Sequence, residues 1–261
     1  MSDRVAEVEA QIDGLPFFRQ PDWSSRYPGL IQGVSRRERE LGFKAPPGVD
    51  EGAAPAAPAA PAAPVAQPAW ERLRRATGFR RLVRCRQVHG SKVIGCSDEA
   101  EPGVDFLGEA DALVTDRPDT LLTVTVADCV PVFLLDPDTR VLGLAHAGWR
   151  GIAAGVIGSA IGRMESLGAE AARLVVHLGP AVCGDCYEVG PEVPAALGIE
   201  GDPRFVDLRH SAAERLLEAG VDAEALTISE NCTLCDTTSF FSHRGGDRTE
   251  RMCAFLGGAC G

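Results

Sequence analysis

Between Leu121 and Leu135 the chain reads LLTVTVADCVPVFLL, an apolar, β-branched run interrupted only around Asp128–Cys129. β-Branched side chains are stiff about their first torsion and pack well on a pleated surface. A run this apolar marks buried strands rather than a half-solvated one. Leu121–Ala127 and Val130–Leu135 are therefore predicted as two core strands that meet at an Asp–Cys corner. The same logic applies to two further places. Arg81–Val88 is predicted as a strand that ends in RQVHGS at His89, and Val141–Ala145 as one that ends in LAHAGWRG at His146. In each case a buried strand would deliver a polar side chain to the rim of a core.

Further elements are read from spacing and punctuation. Asp3–Asp13 has the acidic, amphipathic look of a helix, and a short strand is predicted near Gly29–Val34. Gly151–Leu167 has helical spacing with small residues, which suits close packing on a sheet, and Gly168 ends it. Arg173–Leu178 is predicted as a strand, and Ser211–Ala219 as a helix closed by Gly220. Residues 44–69, nearly all Ala and Pro, are expected to form a polyproline-like excursion within the domain, since proline at this density opposes helix and sheet. Residues 1–43 are too few for a core of their own and are expected to pack on the rest of the chain. Strands and helices mix without strict βαβ alternation, which favours mixed sheets.

Composition excludes several classes. With 261 residues and 45% hydrophobic content, a sizeable core is available. A formal net charge of -11 leaves no broad basic footprint for nucleic acid or anionic membrane. The N-terminus lacks the basic and apolar regions of a secretory signal, and no apolar run approaches the ~20 residues of a membrane span. A soluble, cytoplasmic protein is expected, for which a monomer is compatible with the sequence. Nine cysteines then read as thiols or metal ligands rather than a disulfide framework. Neither a GxGxxG nor a GxxxxGK[ST] phosphate loop is present.

His89, Cys129 and His146 form a candidate ligand set. Two imidazoles and a thiolate suit zinc with a fourth position open for water or substrate, whereas a structural zinc takes four protein ligands. Zinc in such a site can lower the pKa of a coordinated water toward ~7. Asp128 and Asp111 are candidates to orient these ligands or accept protons. Each residue also has a structural reading, Cys129 as a core thiol and each histidine as a strand-end residue.

The words RQVHGS, ADALVTD, VTVADCVPVFLLD, LAHAGWRGIAAGV, LGPAVCGDCYEVG and CTLCDTTSFFSHRGGDRTERM occur in this order. Together they resemble the YfiH/YlmD family, long labelled polyphenol oxidase or multicopper laccase domain. The resemblance implies a single-domain α+β fold over residues 1–261, with mixed β-sheets flanked by helices in layers. It implies His89, Cys129 and His146 as zinc ligands. It also implies phosphorolysis of adenosine, inosine, guanosine and methylthioadenosine, with adenosine deamination as a companion reaction, so the expected partners are purine nucleosides and phosphate. Cys129, Asp128 and Arg150 are the candidate catalytic residues. Arg150 is expected just before a helix that starts at Gly151, a favourable place for an anion. Arg244 and Arg251 flank Gly245–Gly246 and are candidates to close over substrate, and Trp149 or Phe241 to stack on a purine.

The sequence departs from the family in places. The Asn-containing stretch that follows the first strand region is missing after Gly33-Val34-Ser35, and Asn231 is the only asparagine. Ser242-His243-Arg244 stands where the family has Ser-Tyr-Arg, and Glu250-Arg251 where it has Gly-Arg.

Other chemistries compete with this reading. A laccase-type copper cluster draws on many imidazoles and His-x-His pairs, and this chain has five histidines and no such pair. A single copper in the His/Cys/His site, acting as a polyphenol oxidase, stays open. The H-x-E with P-C-x-x-C signature of zinc nucleobase deaminases is missing. Cys129 as nucleophile with His146 as base would make a cysteine hydrolase or amidase, and a nucleoside-binding module without turnover is a third class. Cys183–Cys186 and Cys232–Cys235 form two CxxC pairs, read as free thiols ahead of a second zinc because they lie far apart in sequence. Cys85, Cys96, Cys253 and Cys260 read as packing or surface thiols, and Arg80, Arg81, Arg84 and Arg86 chiefly as a solvated basic strand end.

Overall fold

The computed structural model describes residues 3–38, 42–44, 68–98, 100–201 and 203–258. Among them, fourteen strands form two seven-stranded sheets. In spatial order the first sheet holds β1 (Asp3–Val5), β13 (Leu226–Ser229), β12 (Val175–Leu178), β10 (Val130–Leu135), β11 (Leu142–Ala147), β8 (Ala112–Thr115) and β6 (Val93–Gly95). The second holds β2 (Val8–Ile12), β3 (Leu15–Arg19), β4 (Leu30–Ser35), β14 (Met252–Gly258), β9 (Thr120–Val126), β5 (Arg81–Arg86) and β7 (Gly103–Glu109). Both are mixed: β10 runs antiparallel to β11, whereas β12 runs parallel to β13, and β5 runs parallel to β7 and β9 while β14 runs antiparallel to β9.

The long apolar run is explained by burial on both faces. Along β10, Val130, Val132 and Leu134 pack toward the helices, while Phe133 and Leu135 pack toward the other sheet. Leu122 and Val124 of β9 and Met252, Ala254 and Leu256 of β14 meet them there. Each fully buried Leu or Phe contributes roughly 1.5–3 kcal/mol. The helical layer on the first sheet comprises α3 (Trp149–Ala153), α4 (Val156–Glu165), α5 (Glu192–Leu197) and α6 (Leu208–Glu218). On the far face of the second sheet, Trp70 and Leu73 of α2 (Pro68–Thr77) join Leu15, Phe17, Phe43 and Phe255. The short α1 (Trp23–Arg26) buries Trp23 between the sheets. No described helix is long and apolar enough to cross a membrane.

Two predicted helices are corrected. Asp3–Asp13 is not helical: it forms β1 and β2, on different sheets. Asp13 (φ 46°) and Gly14 (φ 75°) both take left-handed backbone, the Asp-Gly pattern of a two-residue hairpin turn. That turn pairs Ile12 with Leu15 and Val8 with Arg19. The 151–167 helix starts earlier, at Trp149, and is broken at Gly155, whose φ of 85° no helix interior allows. Gly168 ends α4 as expected, with the Ala169 amide reaching back to the Met164 carbonyl. The other predicted strands and the Ser211–Ala219 helix agree within a few residues. Of the 44–69 excursion, 45–67 lies outside the described residues, as does Cys260. Pro68 and Ala69 open α2, where a proline in the first turn costs no hydrogen bond.

The N-terminal segment is fastened by a buried polar network. The Glu7 carboxylate, between β1 and β2, lies 3.0 Å from His177 Nε2 and accepts from Asn231 Nδ2 at 2.8 Å and from the Ser229 hydroxyl. His177 and Glu7 side chains are 0% and 1% exposed. Removing one partner of such a pair leaves the others buried without compensation. Glu7→Ala is predicted to lower unfolding stability by roughly 3 kcal/mol, read from the urea midpoint. A change within about 0.5 kcal/mol, as for an ordinary surface site, would contradict this account of the N-terminal anchor.

Candidate active site

The chain crosses from the second sheet to the first between β9 and β10, and Asp128–Cys129 is the crossing corner. Asp128 is left-handed there, at φ 85°. His146 lies near the end of β11, paired with Pro131 of β10, so the neighbouring strand end carries it to the same rim. His89 arrives from the second sheet after β5. Gln87 continues that strand through its side chain: Nε2 donates to the Thr125 carbonyl at 2.7 Å and Oε1 accepts from the Thr125 backbone amide at 2.8 Å. As a result, one side-chain ligand atom from each of His89, Cys129 and His146 lies within 4.8 Å of the others. The imidazole rings are 4.8 Å apart, edge to face.

A single buried carboxylate organises this convergence. Asp111, 0% exposed, accepts from three successive backbone amides, those of Val88 (3.2 Å), His89 (2.9 Å) and Gly90 (2.8 Å). Those bonds hold His89 in a left-handed conformation, φ 56°, which is strained for a residue with a Cβ. The same carboxylate lies 3.0 Å from His146 Nδ1, and the Asp111 carbonyl accepts from the His146 amide at 2.7 Å. With Nδ1 committed, His146 offers Nε2 to the site, the carboxylate–histidine arrangement typical of metal ligands. Burial pushes the Asp111 carboxyl up, but the His146 ring and the Gly90 and Val88 amides outweigh it and hold it below the usual carboxylate range.

The chemistry of the donors fits a metal ion. His89 Nε2 is buried with no hydrogen-bond partner, which is costly unless something binds there. Burial, then the His146 ring, and more weakly Arg150 and Arg251, push His89 down to about 3, against the pull of Asp111. Its imidazole is thus neutral near pH 7, the form that ligates a metal. Backbone approach is equally constrained. A Cβ on Gly148 would meet Cys129 Sγ at 2.9 Å and His89 Cδ2 at 3.1 Å, and one on Gly151 the Gly90 carbonyl at 3.2 Å. The glycines of HAGWRG make room for Cys129, His89 and the Gly90 backbone.

The other candidate residues occupy varied surroundings. The Asp128 carboxylate accepts from the Thr233 hydroxyl (2.6 Å) and the Arg244 amide (2.8 Å), so it ties two loops to the corner beside Cys129. Thr233 is not among the sequence candidates, though it sits inside the CTLC word. Arg150 lies within α3 rather than before it, its guanidinium 4.3 Å from the centre of the Trp149 ring. Arg251 is buried and bonds the Asp247, Arg248 and Glu250 carbonyls. Arg244 is exposed and sits 4.8 Å from the Tyr187 ring centre. Phe241 is 2% exposed, in the core beneath Arg37 at 4.7 Å, and has no open face for a purine. Arg81 pairs with Asp105, Arg86 with Glu109, and Arg84 lies over Trp70 and Phe106. Among the other histidines, His177 is tied to Glu7, His210 lies 3.4 Å from Glu214 and His243 3.0 Å from Arg248, so none joins His89 and His146. Cys183, Cys186, Cys232 and Cys235 form a second cluster, with sulfurs mutually within 4.8 Å.

Comparison with known proteins agrees with this architecture. Residues 62–258 match the family model described as multi-copper polyphenol oxidoreductase laccase. Purine nucleoside phosphorylase YlmD of Geobacillus stearothermophilus is 36% identical over 198 residues, spanning 68% of this chain and 72% of that protein. Adenosine deaminase RL5, from an unknown prokaryotic organism, is 34% identical over 182 residues, spanning 62% and 69%. The crystal structure of YlmD from Geobacillus stearothermophilus matches with a TM-score of 0.72 and 28% identity, covering 97% of this chain and 100% of that one.

If Asp111 orients both histidines, replacing one of its acceptor oxygens by an amide group should loosen the site without emptying the core. Asp111→Asn is predicted to weaken divalent-metal affinity roughly 10–100-fold, measured by competition with a chromophoric chelator. Unchanged affinity would show that the carboxylate does not orient the ligands.

Proposed function

The chain belongs to the multi-copper polyphenol oxidoreductase laccase family, and on that premise we propose that it is a zinc-dependent purine nucleoside phosphorylase with an adenosine deaminase side activity. The observation that carries this reading is the buried, unpartnered His89 Nε2 beside Cys129 and an Asp111-bound His146. Relatives named purine nucleoside phosphorylase and adenosine deaminase supply the substrate class. The substrates proposed are adenosine, inosine, guanosine and methylthioadenosine, with phosphate as the second reactant. The family's copper label does not fit the histidines: among the described residues only His89 and His146 come together, too few for a multicopper cluster.

His89, Cys129 and His146 would hold the zinc, which supplies Lewis-acid charge beside the nucleoside. Two imidazoles and a thiolate suit that ion and leave its fourth position open. The positive charge for phosphate comes from Arg150 and Arg251, both of which act electrostatically on His89, and from the exposed Arg244. A phosphate oxygen held there attacks the ribose anomeric carbon as the bond to the purine nitrogen breaks and the proton of the hydrogen phosphate passes to that nitrogen, giving free base and the pentose 1-phosphate. Asp128 positions Thr233 and Arg244 around this corner.

A second reading rests on one specific feature. Asp111, His146 and Cys129 are also arranged as carboxylate, base and thiol, which suits a cysteine hydrolase or amidase. Alkylation separates the two. A metal-bound thiolate at Cys129 resists alkylation until a chelator removes the ion, whereas a catalytic nucleophile reacts at once.

The wild-type protein is predicted to release adenine from adenosine only when phosphate is present, and Cys129→Ala to abolish that release; unchanged turnover in the variant would falsify the proposal. Arg150→Ala is predicted to raise the KM for phosphate more than the KM for nucleoside, in steady-state kinetics with each reactant varied in turn. A larger effect on nucleoside would move Arg150 to the other half of the site.

A further inference from the structure

We propose that Cys183, Cys186, Cys232 and Cys235 form a second, structural zinc site that braces the loops behind the active-site corner. The two CxxC pairs are distant in sequence, one after β12 and the other after β13. Parallel pairing of those strands, continued by the Ala181–Cys232 bridge, lays the two turns side by side. Each turn is closed by its own backbone bonds, from the Cys186 and Tyr187 amides to the Cys183 carbonyl and from the Asp236 amide to the Cys232 carbonyl.

The sulfur geometry is that of a tetrathiolate. A zinc–sulfur bond of ~2.3 Å in a tetrahedron places sulfurs about 3.8 Å apart. Cys186 Sγ and Cys235 Sγ are 3.4 Å apart, Cys183 Sγ and Cys235 Sγ 4.0 Å, and all four lie within 4.8 Å of one another. A disulfide needs ~2.05 Å and consumes thiols in pairs, whereas here four sulfurs are gathered in one cluster. Cys232 Sγ accepts the Cys183 amide at 3.2 Å and the Cys235 amide at 3.4 Å. Such amide donors offset negative charge on a ligating sulfur and orient it. Four closed thiolate ligands with no open position specify a structural rather than a catalytic ion; all-sulfur tetrahedral sites take zinc or iron–sulfur centres, and sulfurs within 4.8 Å of one another fit a single ion rather than a cluster.

The position gives the site its role. Thr233, next to Cys232, donates to Asp128, and the Val182 amide, next to Cys183, donates to the Asp128 carbonyl. Tyr187, next to Cys186, carries the Arg244 guanidinium over its ring. The tetrathiolate therefore clamps both loops that hold Asp128, the residue beside Cys129.

Elemental analysis of the purified full chain tests this. The wild type is predicted to carry one more zinc per chain than Cys183→Ser/Cys235→Ser, and Cys129→Ala to retain that zinc while losing the other. Equal zinc in the wild type and the double variant would overturn the proposal. Because the double variant can misfold, the wild type is also alkylated before and after chelation, with peptide mass mapping. All four cysteines are expected to be protected until the metal is removed. Immediate labelling of the four, or a Cys186–Cys235 disulfide in the native protein, would overturn it.

Discussion

The Asp111 carboxylate is the interaction on which the site depends. It is fully buried, and it joins the two sheets chemically by gathering three amides of the His89 loop and the ring of His146. A buried carboxylate without such partners would be too costly to keep ionised. With them it fixes one imidazole by its backbone and the other by its ring nitrogen. The left-handed strain at His89 persists because the surrounding bonds over-determine it.

The packing of the two sheets makes that arrangement possible. Because β9 and β10 belong to different sheets, the turn between them must change layers within a few residues. Asp128 takes the unusual backbone angle, and Cys129 is left 7% exposed at the rim. Apolar side chains on both faces of β10 and β11 fix the register, so His146 cannot slip without turning core residues outward. The precision with which His89, Cys129 and His146 converge is thus inherited from the core.

Much of this is legible in the sequence where local chemistry and burial agree. The β10 run can be read to the residue, because an apolar β-branched segment of that length has little alternative to a buried strand. The strand ends carrying His89, Cys129 and His146 are visible for the same reason. The N-terminal hairpin passes for a helix because β2 is largely exposed and its charges mimic a solvated helix face; the Asp13-Gly14 turn is the better signal. The break at Gly155 is hidden by helix-compatible small residues on either side. The CxxC pairs cannot be joined from spacing, since their proximity comes from the parallel pairing of β12 and β13, a tertiary fact. Phe241 resembles a stacking residue because its motif is rich in polar neighbours, yet its own side chain belongs to the core between the sheets.

The most direct test of the central claim is to strip the protein of metal and return zinc in sub-stoichiometric steps while following phosphate-dependent adenosine cleavage. Turnover should be absent in the metal-free protein and rise in proportion to occupancy of the His89–Cys129–His146 centre. Full turnover without metal, or zinc binding at that centre with no gain in cleavage, would contradict the account.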